Sequence, residues 1–240
     1  MSAAKIHNLV KHLDLYNVLY HMDLMGKEPV RQQDKAAALL RKHGMMRLSE
    51  FHDYGITSAA ISRMEERGLL NQLGRGLYQL PDAPLDTNHS LAVAAKLVPN
   101  GVICLISALA FHELTDRIPA FVWMAIGSRD WRPTITKPRI IIERFGPKVF
   151  DEGIKRHTIE RVSVPIYSPA KTIVDLFESA WQHKRLQYKS PADFVLATQG
   201  MKEALRLRKA TPAEIAKFAV AAGIWEKIVQ PRLEALTVDA

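Results

Sequence analysis

The chain has 240 residues, 48% of them hydrophobic and 24% charged, which fits one large folded domain or two small ones and excludes wholesale disorder. Its 33 Lys and Arg outnumber 25 Asp and Glu for a formal net charge of +8, a balance that favours a polyanionic partner without establishing one. The single cysteine, Cys104 in the apolar run Val102–Ile106, excludes an intrachain disulfide framework and a cysteine-built zinc site and is expected to be a small buried hydrophobe.

Residues 1–28 carry Ile6, Leu9, Val10, Leu13, Val18, Leu19 and Met22 at rough helical spacing. Residues 1–30 are therefore set apart as an N-terminal helical extension, an appended amphipathic helix or, alternatively, a dimerisation helix. Lys5 and Lys11 lead into no continuous apolar core and no small-residue cleavage site, so this is not a secretory signal. Nowhere does an apolar run reach the roughly 18 residues of a membrane span. A cytoplasmic location with no membrane is expected.

From Gln33 to His43, Ala36, Ala37, Leu39 and Leu40 predict an amphipathic helix closed by Gly44. Met45–Leu48 suits a short strand. Ser49, with His52 three residues on, is expected to cap a short helix to Tyr54. After Gly55, Thr57 caps a helix whose inward stripe is Ala60, Ile61 and Met64, leaving Thr57, Ser58, Ser62, Arg63 and Glu66 outward. The runs Leu69–Leu73 and Leu77–Leu80 flank Gly74-Arg75-Gly76, whose glycines are expected to supply the positive φ of a tight hairpin. Three helices, the last two joined by a glycine turn and followed by a hairpin, make a winged helix-turn-helix over residues 31–82. Pro81-Asp-Ala-Pro84 ends it, and a domain boundary is placed there.

In that motif the N-terminal part of the second helix meets base edges, while wing and flanking elements meet phosphates. Thr57, Ser58, Ser62 and Arg63 are the expected base-edge face. Gly74, Arg75 and Gly76 form the wing contact, and Arg47 and Arg67 are secondary contacts, with pairing to Glu50 or Glu65 as their plainer alternative. Residues 31–80 hold eight Lys and Arg against five Asp and Glu, a net of +3. That field is modest, so double-stranded DNA is inferred from the helix and hairpin more than from charge, and protein contact by the same motif stays open.

Residues 83–240 predict a mixed α/β domain ending in a helical bundle. His89–Leu97 is helical and Ile103–Leu114 a buried helix whose first residues equally suit a strand. Phe121–Ile126, Arg139–Phe145, His157–Glu160 and Val162–Tyr167 are strand-like. Ser168 caps a helix over Pro169–Phe177, Asp193 caps another, and Thr211-Pro-Ala-Glu214 is a capping box with proline at the first helical position. Gly223 precedes a final helix over Trp225–Leu236. The expected class is α+β, mostly helical. From Trp181 to Arg232 ten Lys and Arg face four Asp and Glu, either a solvated helical face or an extension of a phosphate-contacting surface.

No residue set carries a catalytic signature. Ser168-Pro-Ala-Lys171 matches Ser-x-x-Lys, but the partner motifs Ser-Asp-Asn and Lys-Thr-Gly are missing, and a helix cap explains the letters. No His-Glu-x-x-His pair occurs; His112 is expected to pack at a helix end. Gly74-Arg-Gly76 lacks the third glycine of a dinucleotide fingerprint. Asp130 and Glu143 are conceivable metal-binding nuclease carboxylates without the Glu-x-Lys spacing such a site wants. Neither enzyme activity, cofactor nor metal is expected.

The stretch from Arg67-Gly-Leu-Leu to Leu73-Gly-Arg-Gly-Leu-Tyr78 resembles the amino-terminal domain of AbiEi-type antitoxins. The resemblance continues through Ser107-Ala-Leu-Ala-Phe-His112, Leu114-Thr115, Ile118-Pro119, Val122-Trp-Met-Ala-Ile126, Ser168-Pro-Ala-Lys-Thr172 and Val174-Asp175, and so covers about residues 36–236. It implies a two-domain autorepressor, the antitoxin of a toxin-antitoxin pair, whose winged helix binds its own promoter. Residues 83–240 would act against a nucleotidyltransferase toxin encoded alongside. The DNA-contacting positions carry over to the Thr57–Arg67 helix and the Gly74-Arg75-Gly76 wing, as monomer or homodimer. Two alternatives stand beside it: an antitoxin that neutralises its toxin by direct contact, and a metal-dependent nuclease. One departure is local: Glu113 stands where the family pattern has glycine.

Overall fold

The computed structural model of the protein describes residues 31–135, 137–183 and 194–238. The expected N-terminal extension over 1–30 and the Asp193 cap lie outside those residues. The fold is α+β, with about half of the described residues helical.

Its first part runs α1 (Gln32–His43), β1 (Met45–Arg47), α2 (Leu48–Asp53), α3 (Ser58–Glu66), β2 (Asn71–Gly74) and β3 (Leu77–Gln79). The three strands form an antiparallel sheet of order β1-β3-β2. Ala36, Leu39 and Leu40 of α1, Phe51 of α2, and Ile61 and Met64 of α3 close a core with Met46, Leu70 and Tyr78. The helical apolar spacing in the sequence is what puts these side chains on one side. The cap of α2 differs from expectation. The helix begins at Leu48 on Arg47, because Glu50 reaches back and accepts from the Arg47 backbone N–H at 2.6 Å. Thr57 caps α3 as expected, its Oγ1 accepting from Ala60 N–H at 3.3 Å.

The second part runs α4 (His89–Leu97), β4 (Val102–Ile103), α5 (Leu105–Phe111), β5 (Val122–Gly127), β6 (Ile140–Phe145), α6 (Pro147–Phe150), β7 (Ile154–Ile159), β8 (Val162–Tyr167), α7 (Pro169–His183), α8 (Phe194–Arg206), α9 (Pro212–Ala221) and α10 (Gln230–Val238). Five strands order as β6-β5-β4-β8-β7. β5 pairs parallel with β6 and β4 parallel with β8, while β4–β5 and β7–β8 are antiparallel. Both faces are covered, and period-two alternation sorts the side chains. Val122, Met124 and Ile126 face the cluster under α4, whereas Trp123 and Ala125 face the cluster shared with α5 and α7–α10. The unforeseen α6 follows Gly146, with Pro147 at its first position. The last expected helix is two pieces: a π-helical turn, Trp225–Val229, in which Val229 N–H bonds the Ile224 carbonyl, precedes α10.

The two parts share a core. Met45 of β1 and Leu77 of β3 join the cluster beneath α4. No helix of the described residues is long and apolar enough to cross a membrane.

Candidate nucleic-acid interface

α3 presents Ser58, Ala59, Ser62, Arg63 and Glu66 to solvent, the outward face its spacing predicts. The residues on that face are not equivalent. Thr57 Oγ1 caps the helix and also donates to Gln32 Oε1 at 3.0 Å, with Thr57 N–H reaching the same oxygen at 3.2 Å. Ser58 Oγ lies 2.9 Å from His52 Nε2. Both hydroxyls are thus occupied in fixing the α2–α3 turn, with partners, Gln32 and His52, that sequence reasoning did not single out. His52 lies six residues before Ser58 and Gln32 lies 25 before Thr57, so no local pattern marks either pairing. Ser62 and Arg63 stand exposed one turn along. Arg67, beyond the end of α3, donates to Gln33 Oε1 at 3.1 Å, so it braces α3 against α1.

Arg75 is exposed at the hairpin tip. Gly76 has φ +66°, the left-handed turn position the hairpin requires. Gly74 is different from expectation: its φ is not positive, and its lack of a side chain serves close approach. A Cβ there would sit 3.0 Å from Leu97 Cδ1 and 3.3 Å from the Lys137 carbonyl. Gly74 therefore seats the hairpin on the second part of the chain.

Arg47 is drawn away from the outward face. Its Nε donates to the Lys96 carbonyl at 2.6 Å, and its Nη2 reaches the same oxygen. The cause is electrostatic: Lys96 lies at the C-terminal end of α4, where unpaired carbonyls attract a cation. Lys96 in turn grips Glu50 through Nζ at 2.7 and 2.9 Å.

The residues weighed for chemistry are otherwise employed. Ser168 Oγ accepts from Lys171 N–H at 3.4 Å as a helix cap, and Lys171 Nζ turns instead to Asp175. Asp130 Oδ2 accepts from Gly127 N–H at 3.0 Å, closing a turn. His112 ends α5 and donates through Nε2 to the Tyr167 carbonyl at 2.7 Å; burial lowers its pKa. Glu113 does take the left-handed conformation (φ +55°) that the glycine of the family pattern would allow, and its carboxylate pairs with Lys209 at 2.8 Å.

Residues 34–81, which hold α2, α3 and the hairpin, match a family described as transcriptional regulator, AbiEi antitoxin. No curated protein matches the chain. Among solved structures, the RV2827C protein from Mycobacterium tuberculosis is similar at 13% identity and a TM-score of 0.43, over 81% of this chain and 82% of that one. The similarity to the AbiEi antitoxin family of transcriptional regulators takes in α2, α3 and the β2–β3 hairpin and leaves the second part of the chain outside it.

Proposed function

We propose that the protein is a sequence-specific DNA-binding autorepressor, the antitoxin of a pair whose toxin is a nucleotidyltransferase. In this reading residues 31–82 are a winged helix-turn-helix with α3 as recognition helix and β2–β3 as wing, and α7–α10 form the bundle of the antitoxin domain. The carrying observation is that the exposed Ser62–Arg63 face of α3 lies in the same small unit as the Arg75 hairpin tip. An arginine in the major groove can hold guanine bidentately and a serine hydroxyl can meet any base, while an arginine on a hairpin suits a phosphate or the minor groove. The hairpin flank adds charge. Residues 128–139, whose Lys137 carbonyl abuts Gly74, carry Arg129, Arg132, Lys137 and Arg139, all exposed.

The test is fluorescence anisotropy on the duplex upstream of the gene at about 100 mM salt, since phosphate-driven affinity has meaning only at stated salt. Wild type is expected to bind, and the Arg63→Ala/Arg75→Ala double variant to bind at least tenfold more weakly, about 1.4 kcal/mol. Equal, weak binding by both would remove the DNA reading.

Neutralisation by direct toxin contact is supported by a separate observation. Ile118 is 94% exposed, with Phe121 also exposed beside it, and exposed apolar groups of this kind suit a protein partner. Co-purification of the neighbouring gene product with wild type, lost in Ile118→Glu, is the outcome that supports it.

A further inference from the structure

Between β6 and α7 lies a cavity of about 150 Å³. Phe145 and Val149 give it apolar walls, and Glu143, Asp175 and Glu178 give it carboxyls, with Arg144 alongside. Asp175 is 3% exposed. One of its oxygens, Oδ1, accepts from Lys171 Nζ, whose charge is further spent on the faces of Phe145 and Tyr167, 5.0 and 4.7 Å away. The other, Oδ2, is buried and has no hydrogen-bond partner among the described residues. A buried carboxylate oxygen left unmet is costly and calls for a donor.

We propose that this cavity binds a primary ammonium group on a short alkyl chain, with Asp175 Oδ2 as its acceptor and Glu178 and Glu143 around it. The charge count points to a cation: three carboxyls line or floor the site against Lys171 and Arg144, and Arg144 already donates to the Ser128 carbonyl at 2.6 Å. Burial raises the pKa of Asp175 and of Glu178 against the opposing pull of Lys171, the response of carboxylates taken out of water, and Gln182 Nε2 donates to Glu178 Oε1 at 2.9 Å. A metal ion does not fit, because among the described residues no three His, Cys, Asp or Glu groups are placed to hold one. Size limits the rest. Pockets for whole small molecules run to about 300–1,000 Å³, so this one takes a terminal group and a few methylenes, which Phe145 and Val149 would cover. The ammonium comes either from a free amine or from a lysine side chain of a protein.

Chemical-shift titration of the ¹⁵N-labelled full chain at about pH 8 tests the site, since Asp175 is then ionised. n-Butylammonium is expected to shift the Phe145, Asp175 and Glu178 signals saturably. Tetramethylammonium, which has no N–H, and n-butanol, which has no charge, are expected to leave them in place. Asp175→Asn should weaken binding at least tenfold. Glu178→Gln leaves the Lys171–Asp175 pair intact and should also weaken it, so it decides the matter where Asp175→Asn fails to fold. A capped Gly-Lys-Gly peptide that binds the same signals assigns a protein lysine as a source, and one that fails assigns the free amine. No saturable shift, an equal response to n-butanol, or unchanged affinity in both variants overturns the proposal. None of these readings depends on DNA binding.

Discussion

Asp175 shows how one residue can set the pH response of the fold. Burial raises its pKa to about 7 despite the neighbouring Lys171. Unfolded aspartate titrates near pH 3.9 (about), so between about pH 4 and pH 7 the folded chain holds a proton that the unfolded chain has released. Its contribution to stability therefore falls as pH rises through that window and levels off above it. Asp175→Asn is expected to remove this part of the slope in urea midpoints. At about pH 8 the same variant should cost about 3–5 kcal/mol, because it leaves Lys171 buried without a counter-ion. A slope unchanged by Asp175→Asn would mean that the titration belongs elsewhere. At the hairpin, Gly74→Ala is expected to cost about 1–3 kcal/mol in urea unfolding, since its Cβ would press on Leu97 and the Lys137 carbonyl. A neutral result would show that Leu97 yields.

At the scale of elements, α3 and the hairpin divide the work differently from what the sequence suggests. With the Thr57 and Ser58 hydroxyls fixing the α2–α3 turn, the proposed DNA-binding function would leave preference between operator sequences to Ser62 and Arg63. Changes at these two are expected to alter relative affinities for single-base operator variants. Arg75→Ala should weaken all sequences alike and lower the slope of log K against log salt by about 1. Relaxed specificity from Arg75→Ala alone would reverse that division. What could be read beforehand follows the same physics. Helical apolar spacing located α1 and α3, and Thr57 and the Thr211–Glu214 box marked the starts of α3 and α9 because those hydrogen bonds are local, within three residues. Apolar runs rich in β-branched and aromatic residues located β5 and β8. The placement of Arg47 on the Lys96 carbonyl, and of Gly74 against Leu97, arises from contacts 49 and 23 positions apart in sequence. No local pattern encodes them.

Across the whole molecule, what holds the proposed DNA-facing unit in one orientation is a set of contacts between residues 31–80 and the body behind them. Met45 and Leu77 supply the apolar part. The polar part centres on Glu160, whose side chain is 6% exposed at the turn between β7 and β8. Its Oε1 accepts from Asp86 N–H at 2.7 Å, and its Oε2 from His89 Nδ1–H at 2.8 Å and from Gln79 Nε2 at 3.3 Å. Strand β3, the connection and α4 therefore meet on one carboxylate. Glu160 and Arg161 both have positive φ (+48° and +67°), a costly arrangement for residues with side chains that surrounding contacts must hold in place. Gly44 lies so near the Glu160 carbonyl that a Cβ would stand 2.1 Å from it. Glu160→Ala leaves Gln79 and His89 without their acceptor and should cost about 1–3 kcal/mol. More tellingly, it is expected to free the unit: protease cleavage within the exposed stretch 84–87 should rise, and operator affinity should fall although no DNA-facing side chain has changed. Glu160→Gln keeps an acceptor for Asp86 N–H and should show a smaller effect. If Glu160→Ala changes neither cleavage nor affinity, the orientation rests on Met45 and Leu77 alone, and Met45→Ala becomes the variant that loosens it.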